Sequence, residues 1–176
     1  MALEKGKVQL ETYNTEWRQM YLDEEKKLKE LLGDNVLEIV HVGSTSIVGL
    51  SAKPIIDIMI TVNNLEDVLN FKHLFTTELG YDFRDDGGIK GEYLVRKGKE
   101  EARTHFIHII SKDNIRYDEF TMFKAYLNKH PERVKAYQEL KEALADKYSN
   151  DRKSYTSMKK SFIDETLELY KKENIF

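Results

Sequence analysis

Apolar and polar positions fall into two regimes along the chain. Up to about residue 112, short β-like runs alternate with helical stripes; beyond it, only helical stripes remain. Residues 8–13 (VQLETY) alternate apolar and polar, which predicts a short strand. Thr15 is placed to cap a helix with Trp17, Met20, Tyr21, Leu28 and Leu31 on one side and Gly33 as its C-terminal stop. Residues 36–42 predict a second strand, which runs into the small polar bend Gly43-Ser44-Thr45-Ser46. After Lys53-Pro54 comes the most apolar run, 55–62, β-branched and of buried-strand length. Residues 65–79 read as a helix closed by Gly80, and Asp85-Asp86-Gly87-Gly88 as a turn before strands at 92–96 and 104–110. From Tyr117 the chain predicts three helices. Their stripes are Phe120, Phe123, Tyr126 and Leu127; then Val134, Tyr137, Leu140, Leu144 and Tyr148; then Tyr155, Met158, Phe162 and Leu169, with Asn150 or Asp151 as the last cap. The expected architecture is α+β or mixed α/β: a mixed β-sheet flanked by helices (1–112) with a helical C-terminal extension (113–176), in one domain.

Composition narrows the function classes. With 176 residues, 40% hydrophobic and 34% charged, the chain has material for a core and too much for disorder. Its net charge of −3, from 28 basic and 31 acidic side chains, argues against a duplex nucleic-acid or polybasic membrane binder. It leaves room for a small anionic ligand, because a pocket needs only local charge. The absence of cysteine excludes disulfides, zinc–thiolate sites and thiol nucleophiles. With no signal-like or bilayer-length apolar stretch, a cytoplasmic protein is expected.

The chemistry concentrates in residues 41–62, HVGSTSIVGLSAKPIIDIMITV. A strand delivers the chain into Gly43-Ser44, whose small residues leave amides available for an anion such as phosphate. Asp57 stands inside the oiliest strand. A carboxylate there is costly to bury without a metal ion, a cation or a set of donors. Lys53 precedes the same strand and supplies a cation near the same end. Neither a Walker loop nor a G-x-S-x-G serine elbow is present.

The words GSTS-x-x-GL-x-x-KPIIDI, residues 43–58, resemble the signature of the GrpB family, which belongs to the nucleotidyltransferase superfamily. The resemblance extends to Trp17, to Arg103-Thr104-His105 with His108, to His130-Pro131 and Tyr137, and to Leu140-Lys141, Asp151-Arg152, Tyr155, Lys159 and Phe162. It implies a nucleotidyltransferase-like fold in which the Gly43–Ser46 bend holds a triphosphate and Asp57 is the first of the carboxylates that hold two metal ions. Where that layout has its second carboxylate this chain has Met59, whose thioether does not hold Mg²⁺. Where the family commonly has an aspartate in a helix of F-R-D-Y-L type, this chain has Phe123-Lys124-Ala125-Tyr126-Leu127.

Substitute ligands are then Glu92 and a histidine. On a strand, His105 and His108 face opposite sides, so one at most joins Asp57, with His108 favoured. The expected ion is Mg²⁺ or Mn²⁺; a histidine ligand shifts the preference toward Mn²⁺ or Zn²⁺. Lys53 and Arg103 would neutralise phosphate charge, and Lys141, Arg152, Tyr155 and Lys159 would reach phosphates or stack on a base. Asp57 or His108 would serve as general base for an acceptor hydroxyl. The expected activity is nucleotidyl transfer from an NTP to a small acceptor. The alternatives are a non-catalytic nucleotide- or phosphate-binding module and a protein-interaction domain.

Overall fold

The computed structural model describes residues 6–84 and 89–175. Its five strands are β1 (Glu38–Val42), β2 (Ile56–Val62), β3 (Asp82–Arg84), β4 (Glu92–Lys99) and β5 (Ala102–Ser111). They form one sheet in the order β1-β2-β5-β4-β3. β2 and β5 run parallel, and every other neighbouring pair is antiparallel. The two most apolar runs of the sequence are thus the inner pair, covered on both faces. The helices are α1 (Glu16–Leu32), α2 (Val68–His73), α3 (Ile115–Lys129), α4 (Pro131–Lys147), α5 (Arg152–Met158) and α6 (Lys160–Glu173). Among the described residues, no helix is long and apolar enough to cross a membrane.

Strand alternation divides the chemistry between two faces. Ile56, Ile58, Ile60, Ile107 and Ile109 point into the main core with Trp17 and Leu28 of α1 and with Phe71 and Phe75. Asp57, Met59, His108 and Ile110 occupy the opposite face. There, Val42, Met59 and Ile110 pack beneath Tyr117 and Phe120 of α3. The loop after the bend joins this layer to the C-terminal helices, as Ile47 and Leu50 pack with Leu127 and Tyr137.

Several local expectations need correction. Residues 8–13 form only one bridge, Glu11 to Ala52, rather than a strand. The partner segment runs into Pro54, which has no N–H to extend a ladder. The first helix is capped by Asn14, whose Oδ1 accepts from Glu16 N at 2.9 Å, and not by Thr15. The predicted helix 65–79 opens with a 3₁₀ turn, is α-helical at Val68–His73, and widens into a π segment at Leu74–Glu78. Thr76 and Thr77 both donate to the His73 carbonyl, at 3.1 and 2.7 Å, and so compete with the ordinary ladder. The last predicted helix breaks at Lys159 into α5 and α6. Asp151 caps α5 by accepting from Ser154 N at 3.0 Å. Met158, expected on the apolar stripe, is exposed, and Leu167 is buried instead. The Asp85–Gly88 turn lies outside the described residues.

Leu28 is fully buried and Leu37 is 45% exposed. Leu28→Ala should therefore cost about 2–5 kcal/mol in urea unfolding, whereas Leu37→Ala should change stability by less than about 0.5 kcal/mol.

Candidate functional site

The bend is built around the Asp57 carboxylate. Gly43 has φ +69°, a left-handed conformation that side chains rarely adopt. A Cβ on Gly43 would lie 2.6 Å from Asp57 Oδ2, so the residue must be glycine for space as well as conformation. Ser44–Ser46 form one 3₁₀ turn, held by the Ser46 hydroxyl donating to the Gly43 carbonyl at 2.7 Å. Antiparallel pairing sets Val42 opposite Asp57, which is why the bend opens beside that carboxylate.

On its other side Asp57 meets a histidine. His108 Nε2 is 3.3 Å from Asp57 Oδ1, and His108 Nδ1 is 2.5 Å from Glu92 Oε1. Arg116 Nε lies 3.1 Å from Glu92 Oε2, close enough to pair the charges though not aligned as a hydrogen bond. Burial alone would lower the His108 pKa. Hydrogen bonds and charge from Asp57 and Glu92 overcome it and raise the ring to about 9. His108 is thus an imidazolium at neutral pH, with both nitrogens committed to carboxylates.

This geometry bears on the metal expectation. Glu92 and Asp57 sit on opposite edges of the same ring and do not converge on one ion. Met59 is fully buried in the apolar cluster under α3. Among the described residues, no group of three His, Asp or Glu side chains is placed to hold a metal. The donor set does not fit a pair of carboxylate-held ions. His108, doubly bonded and cationic, is also unsuited to the general-base role expected of it.

Next to Asp57 opens a cleft of about 190 Å³. Ser44 and Thr45 line the cleft, and Lys53, Lys141, Arg152 and Lys159 set four basic side chains against the single carboxylate of Asp57. Tyr155 forms the floor, with Lys159 Nζ 4.5 Å and Lys53 Nζ 5.5 Å from its ring centroid. Arg152 lies 5.4 Å from the Phe106 ring centroid. Burial, then Arg152 and Lys159, lower the Lys53 pKa to about 7. Burial and Arg152, only partly offset by Asp57, lower Lys159 to about 8. Lys141 is 2% exposed, donates to the Ser51 carbonyl at 2.6 Å, and is held well below its usual value, chiefly by burial. The cleft carries more positive charge than its walls neutralise.

A second cavity, of about 210 Å³, shares Ser44, Asp57 and Lys159 with the first and adds Phe120, Phe123 and Tyr137. Asp57 stands at the junction.

Of the expected site residues, Gly43, Ser44, Thr45, Lys53, Asp57, Lys141, Tyr155 and Lys159 come together at this junction, with Arg152 beside them. Others do not. The Ser46 hydroxyl is taken by the Gly43 carbonyl and faces another cavity. Arg103 does not line the cleft; it donates to Asp82 Oδ2 at 3.0 Å and to the Gly98 carbonyl at 2.6 Å. His105 pairs with Ile56 on the opposite face, where burial and Lys97 lower its pKa against the pull of Glu24. Glu92 belongs to the site only through His108. Arg116 and Phe106 were not marked by the sequence, and Phe120 only as part of a helix stripe; they enter through register and helix packing, which no local motif encodes.

The strand order, the bend and its carboxylate define a nucleotidyltransferase-like fold. A solved structure of Cid1 in complex with its short product ApU superposes with a TM-score of 0.52 at 16% identity, covering 78% of this chain and 43% of that one. Within that class the chain belongs to the GrpB family: the family model described as GrpB protein matches residues 7–169. The Glutamate-rich protein GrpB of Alkalihalophilus pseudofirmus is 36% identical over 170 residues, covering 95% of this chain and 98% of that protein. The crystal structure of conserved protein GrpB from Enterococcus faecalis superposes with a TM-score of 0.82 at 31% identity, covering 94% and 98% of the two chains.

Two measurements check the geometry. Gly43→Ala should destabilise the fold by about 1–3 kcal/mol in thermal unfolding, because it combines an unfavourable φ with a clash on Asp57. Nitrogen-15 NMR of the His108 ring should show both nitrogens protonated at neutral pH and titration near 9. Because that value lies above the free-histidine value of 6.5, the His108 contribution to stability is complete below about 6.5 and lost as pH rises through about 9.

Proposed function

We propose that the chain binds the polyphosphate arm of a nucleotide in the basic cleft, with lysine and arginine side chains doing the neutralising that paired metal ions do elsewhere. The observation that carries this reading is the set of four basic side chains around one carboxylate at the start of β2. Opposite charge brought into a water-poor cleft is strongly favoured, and a triphosphate would restore the protonation that Lys53 and Lys159 partly lose there. The cleft of about 190 Å³ is too small for a whole nucleotide. The sugar and base would extend into the adjoining cavity, where Phe120, Phe123 and Tyr137 offer aromatic surface.

A second reading, nucleotidyl transfer, is favoured by the position of Asp57 between the two cavities. An acceptor hydroxyl there would give its proton to Asp57 while its oxygen bonds the α-phosphorus and pyrophosphate leaves. Transfer of a labelled nucleotide to any small acceptor, abolished by Asp57→Asn, would establish it.

For the binding reading, titration calorimetry with ATP, UTP and inorganic tripolyphosphate should detect association in EDTA. Lys159→Met and Arg152→Met should each weaken it by about tenfold or more, roughly 1.4 kcal/mol. Asp57→Asn, which removes the one opposing charge, should leave metal-free binding intact or tighten it. Binding that demands Mg²⁺ and disappears in Asp57→Asn would contradict the proposal. Affinity should fall as pH rises from about 7 to about 8, because Lys53 and Lys159 lose their protons in that window. Within it, binding should take up protons, and reaction heats in buffers of different ionisation enthalpy would reveal this.

A further inference from the structure

The Gly43–Ser46 bend has two sides, and only one faces the cleft. On the other side, between α1, β1 and α3, lies a cavity of about 440 Å³, within the usual range for a small-molecule site. We infer that this cavity is a second binding site, for a small organic anion with an apolar or planar body.

Two cations and no acid carry the argument. Arg18 from α1 and Lys124 from α3 line the cavity, and no aspartate or glutamate does. Among the described residues, Arg18 makes no ion pair. Lys124 Nζ donates to the His41 carbonyl at 2.8 Å, which leaves two of its three protons for a ligand. The two like charges face one half-buried space and repel each other, and Lys124 is partly withdrawn from water, an arrangement that an anion between them would relieve. Burial, and after it Arg18, hold the Lys124 ammonium below its usual value, in keeping with that unmet charge.

The rest of the wall suits an organic body. Tyr13, Leu22 and Val48 offer ring and aliphatic surface, and Val48 is 71% exposed. His41 stacks on Tyr21, with centroids 4.8 Å apart and planes 12° apart. Its Nε2 is 3.0 Å from Thr45 Oγ1. Burial first, and Lys124 beside it, lower the His41 pKa to about 4, so the ring is neutral and adds no third cation. Thr45 lines both this cavity and the basic cleft, so the two sites share a wall one residue thick.

The test uses phenyl phosphate and benzoate as probes, benzyl alcohol as the uncharged control, and inorganic tripolyphosphate as the cleft ligand. The single tryptophan, Trp17, is the reporter, because its ring meets Tyr13 edge-on at 5.8 Å. We expect at least one anionic probe to change Trp17 fluorescence saturably while benzyl alcohol does not. Preference between the two shows whether phosphate or carboxylate is the recognised group. Arg18→Gln and Lys124→Gln should each weaken the anionic probe by about tenfold or more; tripolyphosphate binding should be unchanged in Arg18→Gln, the cleaner variant because Lys124 also lines the cavity beside Asp57. Lys159→Met should do the reverse, so failure of one site is distinguishable from failure of the other. Arg18 is exposed, so Arg18→Gln should melt as the wild type and decide the question even if Lys124→Gln folds poorly. The inference is overturned if neither anion binds the wild type, or if anion binding survives Arg18→Gln and is lost in Lys159→Met.

Discussion

A carboxylate inside an apolar strand is costly unless its charge is met, and in this protein a histidine ring meets it. His108 comes to within 3.3 Å of one oxygen of Asp57, and Gly43 leaves the room that the other occupies. The ring is itself held by Glu92, which Arg116 balances. These contacts require β1, β2, β4 and β5 to keep one register and α3 to dock on them, since the residues involved come from five places in the chain. The sheet order, the glycine bend and the docking of α3 are all needed to close this one line of alternating charge.

The consequence for chemistry is that positive charge near Asp57 is supplied by side chains. The imidazolium lies behind the carboxylate, and Lys53, Lys141, Arg152 and Lys159 lie in front of it. A site of this kind is prepared for a polyanion before any ion arrives. Burial first, and Arg152 beside them, hold Lys53 and Lys159 below their usual values, which in the proposed reading couples proton uptake to binding. The break between α5 and α6 at Lys159 has a role here, since that residue reaches both cavities that meet at Asp57.

Much of the architecture could be read from pattern. The β-branched run 55–62 could only be an inner strand, and the bend before it could only be small residues. The requirement that Asp57 have a charged partner also followed from transfer energetics alone. The identity of the partner followed only as a preference for His108 over His105. His108 and Glu92 lie far along the chain, and which of His105 and His108 faces Asp57 depends on a one-residue choice of register. Arg103, itself part of a family-like segment, pairs instead with Asp82 on the edge strand β3. The 8–13 strand failed because alternation says nothing about whether a partner can pair, and Pro54 limits the one available. The cation cluster combines Lys53 from the loop before β2 with Lys141, Arg152 and Lys159 from three later positions, a convergence that only helix docking produces.

Asp57 is partnered by the His108 ring, and the metal-independent reading proposed for the cleft predicts that this pairing persists when a nucleotide binds. Its most direct test is a crystal structure with a non-hydrolysable nucleoside triphosphate and Mn²⁺, using anomalous scattering to locate the metal. The predicted result is phosphate density against Lys53, Arg152 and Lys159, with His108 still between Asp57 and Glu92. A pair of Mn²⁺ peaks bridged by Asp57, with His108 displaced, would contradict it.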